Sequence, residues 1–206
     1  MKKWLIVLAV AGVVLIGGGI WFILKPGTAS APALIISGKE VVLPPGIKAP
    51  QGVPAFSLGT VNRNASTGSH LYIYENGCVL GTQDASTRQD LIRPGFRIWR
   101  CLQLTQAEFA GLADFIQANA AGLETAYKFP GYTGPEGTSF TGDMDTALVI
   151  KYQGINKTLS ALNYLSPYSD YFAGTYAGMP SPLGEICQKL NEIAVKTQEF
   201  NRENIE

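Results

Sequence analysis

The residues that could do chemistry are few. The chain holds one histidine, His70, three cysteines, Cys78, Cys101 and Cys187, and one D-x-D pair, Asp143 and Asp145. A Ser-His-Asp or Cys-His arrangement would have to use His70, because a general base of that kind needs an imidazole beside the nucleophile. No G-x-S-x-G elbow occurs, and neither a P-loop nor a G-x-G-x-x-G after a strand is present. His70 stands just before a β-prone run and reads as a surface histidine at a strand start. Asp143 and Asp145 could ligate a hard cation, yet such ions take roughly six or more oxygens and no third carboxylate is near in sequence. They read as solvated charges at a strand entry. The cysteines show no C-x-x-C spacing, so no metal site and no cofactor is expected. Arg88, Arg93, Arg97 and Arg100 form a local basic run, but Arg97 and Arg100 fall on opposite faces of a strand, so pairing with acidic neighbours is the expected use.

Recognition is the better-supported chemistry. Tyr127, Phe129, Tyr132 and Phe140 lie in one loop-like stretch; Tyr164, Tyr168, Tyr171, Phe172, Tyr176 and Met179 lie in another. Six of the nine tyrosines fall in these two places. Tyrosine offers a large contact area at low entropic cost, so aromatic loops rich in Gly and Pro make recognition surfaces. The candidate binding residues are therefore Tyr127, Phe129, Tyr132, Tyr164, Tyr168, Tyr171, Phe172 and Tyr176. The competing reading folds these rings back over the open face of a sheet. An enzymatic alternative uses Asp143, Asp145 or Glu124 as a dispersed acidic site with the aromatic loops as platform.

These loops need a scaffold. TALVIKY (146 to 152) and KTLSALNYL (157 to 165) alternate as strands around a turn at Gly154, so both aromatic loops leave from the opposite end of that pair. LYIYENGCVLGT contains two β-rich runs around Glu75-Asn76-Gly77, and Asn-Gly is a strong hairpin signal. FRIWRCLQL (96 to 104) reads as a further strand. If it pairs with 78 to 83, Cys78 comes near Cys101, and a disulfide closing that loop would contribute on the order of 3 kcal/mol. Two reduced, half-buried cysteines are the alternative. Thr105-Gln106-Ala107-Glu108 is a capping box opening a helix over roughly 105 to 119. A second helix begins behind Ser181-Pro182, and its apolar stripe runs from Leu183 through Cys187 to Phe200, fraying in NRENIE. Cys187, inside that stripe, reads as a buried small hydrophobe. Asn64-Ala65-Ser66 and Asn156-Lys157-Thr158 match the N-glycosylation pattern.

The element order and the YIYENGCV hairpin resemble a family of uncharacterised bacterial membrane-anchored extracytoplasmic proteins over residues 70 to 195. The resemblance implies an α+β fold. It brings no activity, substrate or catalytic residue.

Ahead of everything stands WLIVLAVAGVVLIGGGIWFIL, residues 4 to 24, which is 21 residues long and uncharged. As a helix it would span roughly 31 Å, a bilayer's hydrocarbon thickness. Lys2, Lys3 and Lys25 flank it, and Trp4, Trp21 and Phe22 sit at its edges. The run is read as a retained membrane anchor; the alternative is a signal peptide cut at Ala29-Ser30-Ala31. The lysine bias places the N-terminus inside and the domain outside the cytoplasmic membrane. Without those three lysines, 13 basic residues face 16 acidic ones, a net of −3, which argues against a nucleic-acid partner.

The expected organisation is an anchor at 1–25, a Pro/Gly-rich arm with short strands at 26–69, and a domain at 70–206. The expected fold class is α+β: a transmembrane helix, then an antiparallel β-sheet with two amphipathic helices packed on one face. The expected function is a non-catalytic binding or accessory protein, with a partner in the membrane or envelope.

Overall fold

The structure, a computed structural model, describes residues 32–62, 67–85, 95–128, 132–133, 139–140, 144–164 and 181–204. A short hairpin comes first, β1 (Ala33–Ile36) and β2 (Lys39–Val42). Four strands follow: β3 (Phe56–Asn62), β4 (Thr67–Ile73), β5 (Cys78–Ala85) and β6 (Phe96–Gln103). Helix α1 (Gln106–Ala120) leads to β7 (Ala126–Lys128) and the two-residue strands β8 (Tyr132–Thr133) and β9 (Ser139–Phe140). The chain closes with β10 (Met144–Tyr152), β11 (Ile155–Tyr164), α2 (Leu183–Ala194) and β12 (Gln198–Asn204).

Local chemistry sets the turns. Ser37 and Gly38 both have positive φ (48° and 77°), as do Gln153 and Gly154 (45° and 84°), so each hairpin turns on two residues whose twist matches its strands. The Tyr74–Cys78 hairpin is wider than Asn-Gly alone predicts. Gly77 N donates to Tyr74 O, Cys78 N donates to Asn76 Oδ1, and Gly77 takes φ 80°. At the head of α1, Thr105 accepts from the Glu108 amide while Glu108 accepts from the Thr105 amide, the expected capping box. At its other end, Lys157 Nζ from β11 donates to the Ala120 and Leu123 carbonyls, placing a cation where the helix leaves acceptors unpaired.

Eight strands form one sheet in the order β12-β6-β5-β4-β3-β10-β11-β7. All neighbours are antiparallel except β7, which runs parallel to β11. Two long connections explain this. From β6 to β7, and again from β11 to β12, the chain crosses six strand positions, about 29 Å at roughly 4.8 Å per strand. Each crossing carries a helix, α1 or α2, and both helices lie against the same face. Their core joins Phe56, Leu58, Leu71, Ile73, Leu148 and Ile150 of the sheet to Phe109, Leu112, Ile116, Leu183, Ile186 and Leu190. Phe56 stacks on Phe109 with ring centroids 5.9 Å apart.

Among the described residues, the other face is covered on one half only. Leu34, Ile36 and Leu43, in and just after the β1–β2 hairpin, pack on Tyr74, Cys78, Leu80, Trp99 and Cys101. The hairpin is a separate two-stranded sheet, seated on β5 and β6 without joining their hydrogen-bond ladder.

These findings correct the expected fold class. Strands dominate, twelve against two helices among the described residues, and the main sheet is mixed rather than antiparallel. Residues 1–31, which hold the expected transmembrane helix, lie outside the described residues, and no described helix is long and apolar enough to cross a membrane. The boundary expected at residue 70 falls inside β4, and β3 is an interior strand of the sheet. The second helix stops at Ala194. The end is closed locally, Thr197 N and Oγ1 both donating to Ala194 O at 3.1 and 2.6 Å, and Arg100 of β6 holds that turn: its Nη2 donates to Thr197 O at 2.7 Å and its Nε to Thr197 Oγ1 at 3.1 Å. The segment expected to fray is instead β12, paired with β6.

Candidate functional site

The half of the second face that no described residue covers is the candidate site. Strand alternation sends Phe56, Leu58, Leu148 and Ile150 into the helix-side core, so Ser57, Gly59, Val61, Asp145, Ala147 and Val149 face the other way. The register lines up Ser160, Ala147, Gly59, His70 and Thr82 in one row across five strands. Three of those five residues are small. The result is a trough of about 290 Å³ whose lining is largely apolar. Gly59 and Ala147 make its floor, and Val61 and Val149 border it.

His70 and Tyr72 form the wall toward the covered half. Their rings stack, centroids 6.2 Å apart and planes 11° from parallel. Tyr72 also packs against the cluster under the β1–β2 hairpin, so it marks where the hairpin layer ends and the trough begins. The imidazole lies over Gly59: a Cβ built there would meet His70 Nδ1 at 2.9 Å. Only glycine leaves that room. Burial lowers the His70 pKa; the nearby Asp84 carboxylate raises it and the Arg97 guanidinium lowers it. Burial likewise raises that of Tyr72. Asp84 is committed elsewhere, since Arg97 Nε donates to its Oδ1 at 2.6 Å. Glu203 of β12 takes the Trp99 indole N–H at 3.1 Å and the Ser37 hydroxyl at 2.7 Å, tying hairpin, β6 and β12 together. Arg97 is thus paired, as its place among acidic neighbours suggested.

Of the predicted recognition residues, Tyr127 has a described side chain, and it lies away from the trough. Tyr127 is on the edge strand β7, packs against the helix-side core, and its hydroxyl accepts from Glu124 N at 2.9 Å. Tyr132 is in β8 and Tyr164 ends β11, but their side chains are not described. Phe129, Tyr168, Tyr171, Phe172 and Tyr176 lie outside the described residues, as do Asp143 and Asn64. The anchor points are placed, however. Lys128, Met144 and Tyr164 all stand at the same end of the sheet, because β7 and β11 run one way and β10 the other.

Of the acidic residues of the enzymatic alternative, the two described ones, Asp145 and Glu124, are not brought together. Ala126, Ser160 and Ala147 share one level of the sheet. Asp145 lies beyond that level toward one end and Glu124 beyond it toward the other. Among the described residues no group of His, Cys, Asp and Glu could hold a metal.

The three thiols are free and buried. Cys78 stands opposite Gln103 and Cys101 opposite Leu80, so the two cysteines are diagonal neighbours. Diagonal neighbours have Cα atoms about 7–8 Å apart, beyond usual disulfide reach. Burial pushes the Cys78 and Cys187 thiols up to about 12 and raises that of Cys101, so none is a thiolate at neutral pH.

Sequence reasoning missed the trough. Its one signal is the set of small residues at outward positions, Ser57, Gly59, Ala147 and Ser160, and it is hidden in the sequence because the composition of residues 26–69 points to an arm rather than to an interior strand. No family model, curated protein or solved structure matches the chain.

Proposed function

We propose that the chain is a single-pass, membrane-anchored extracytoplasmic protein whose folded part is a non-catalytic binding or accessory module. Residues 4 to 24 are its anchor in the cytoplasmic membrane, and its partner is in the membrane or envelope. The observation that carries the binding reading is the trough: among the described residues two helices layer one face of the sheet and a hairpin covers half of the other, and the apolar trough beside that hairpin has the form of a binding surface. The anchor reading rests on the length of the uncharged run and its lysine flanks. The near-neutral charge balance disfavours a nucleic-acid partner, and the separation of Asp145 from Glu124 disfavours the acidic enzyme.

Membrane fractions test both parts. The full chain should stay in the pellet after an alkaline wash, and protease added from outside should digest the folded part. Ala147→Arg, at an exposed position in the trough, should keep the fold and lose partner capture from those membranes. Release into the alkaline wash would overturn the anchor. Unchanged capture by the arginine variant would overturn the trough as the binding face.

A further inference from the structure

The described chain begins at one particular end of the sheet. Leu43 N donates to Pro32 O at 2.8 Å and closes the base of the β1–β2 hairpin. From that base, Lys48 N reaches Gln103 Oε1 at 2.9 Å, and Asn76 Nδ2 donates to Ala49 O at 2.6 Å. The base therefore lies at the end of β5 and β6 that carries Cys78 and Gln103. The hairpin tip lies at the other end, where Ser37 bonds Glu203, the partner of Arg97. Phe56 stands opposite both Ile73 and Ile150, which brings the turns at Gly77 and Gly154 to the base end too. The connections gathered there, 43–55, 74–78, 104–106, 152–155 and 195–197, are all described without a break.

This end presents open turns, valines and lysines. Gly46, Gly52 and Gly154 each have empty space where a Cβ would stand. Val53 is 47% exposed between Gly52 and Pro54, and Val195 is 50% exposed at the link from α2 to β12. Lys48, Lys151 and Lys196 are exposed beside them, against Glu75, Glu108 and, at the β7 edge, Glu124. The Glu108 carboxyl is held below the usual range by the Thr105 amide and hydroxyl that donate to it, and further by Lys196, so Lys196 and the start of α1 share this end. Val42 is near the base but points off the face of the sheet, since Val41 and Leu43 on either side of it turn onto the β5–β6 cluster. Exposed valines among lysines of balanced charge suit a lipid interface better than a polyanion: the apolar groups enter the headgroup layer and the ammonium groups reach its phosphates.

Reach decides the partner. In the reading of residues 4 to 24 as an anchor, on which this inference rests, seven residues, 26 to 32, join Lys25 to Ala33. At about 3.6 Å each they hold Ala33 within roughly 25 Å of the bilayer. A tether that short sets an effective concentration on the order of mM, so a weak contact suffices. We propose that the hairpin-base end of the sheet rests on the bilayer that residues 4 to 24 cross, with Val53 and Val195 in the headgroup layer and Lys48, Lys151 and Lys196 on lipid phosphates. The strands then stand outward. Lys128, Met144 and Tyr164, from which the aromatic stretches leave, lie at the end turned away from the membrane, about 27 Å further out along β10.

The test uses the full chain in nanodiscs of phosphatidylethanolamine and phosphatidylglycerol. A nitroxide is placed on Val53→Cys or, as the far-end reference, on Val61→Cys; the three native thiols are buried. Collisions with oxygen, which enters lipid, are compared with those of a water-soluble nickel chelate. The oxygen-to-nickel ratio at position 53 should exceed that at position 61 about threefold or more. Val53→Asp, read from a nitroxide on Gln51→Cys, should bring the ratio down to the far-end level, and both residues are exposed, so the fold is kept. Equal ratios at 53 and 61, in a chain that stays in the bilayer through an alkaline wash, would overturn the docked end and leave the anchor standing. Protection of position 53 in native membranes but not in these nanodiscs would overturn lipid as the occupant in favour of a membrane protein. Release into the wash would overturn the anchor and the docked end together.

Discussion

At the residue scale, two glycines illustrate how little freedom the fold leaves. Gly59 gives its side-chain space to the His70 ring. Gly77 is held by two constraints at once: its φ is 80°, and a Cβ built there would lie 2.4 Å from Leu104 O. That carbonyl cannot retreat, because Leu104 N donates to Gly77 O at 2.8 Å and Gln103 Nε2 bonds Asn76 O and Leu104 O. Gly77→Ala should therefore cost about 2–4 kcal/mol, more than the roughly 1 kcal/mol of the φ penalty alone, as read by urea unfolding. A loss under about 1 kcal/mol would mean the β5–β6 end can relax away from the turn. His70 is the other residue whose role the sequence understated. A histidine at a strand start reads as exposed, and only the pairing of β4 with β3 reveals the glycine beneath it.

At the element scale, β12 carries the most consequence. It is an edge strand, yet it supplies Glu203, which ties the Trp99 indole and Ser37 to the sheet. Arg202 also lies over the Phe96 ring, 4.7 Å from its centroid. Ending the chain after Thr197 should expose β6 as a new edge, unpin the β1–β2 hairpin and lower the thermal midpoint by roughly 10 °C or more. An unchanged midpoint would show that the hairpin holds by its apolar contacts alone.

Helix α1, its capping box, the tight turn at Gly154 and the strands around it were legible because each is coded by neighbours in sequence. The β12 segment was not. The apolar stripe from Leu183 to Phe200 continues at helical spacing past the true end, and the partner that takes up the chain beyond it, β6 with Arg100, lies nearly a hundred residues away. The parallel placement of β7 was hidden for the same reason: three residues, Ala126–Lys128, take their direction from where α1 delivers them. The site suffered most, since the small residues that form it lie on three different strands and meet only through register.

At the scale of the whole molecule, the sheet is asymmetric. Both long crossings place a helix on one face, and the single early hairpin cannot span the other. It covers β5 and β6 and stops at Tyr72, and among the described residues β3, β10 and β11 turn mostly small and apolar residues, with Asp145, to that side. That asymmetry is the physical basis for reading the chain as a binding module, and the uncharged run at 4 to 24 would set the surface on which the module works. The most direct measurement places a photoreactive side chain at Ala147 in the trough and, separately, at Val42, which is 58% exposed on the covering hairpin. Both full-length proteins are then irradiated in their native membranes. The account predicts a discrete adduct from position 147, suppressed by Ser160→Arg, and none from position 42. Adducts of equal yield from both positions, or none from 147, would contradict it.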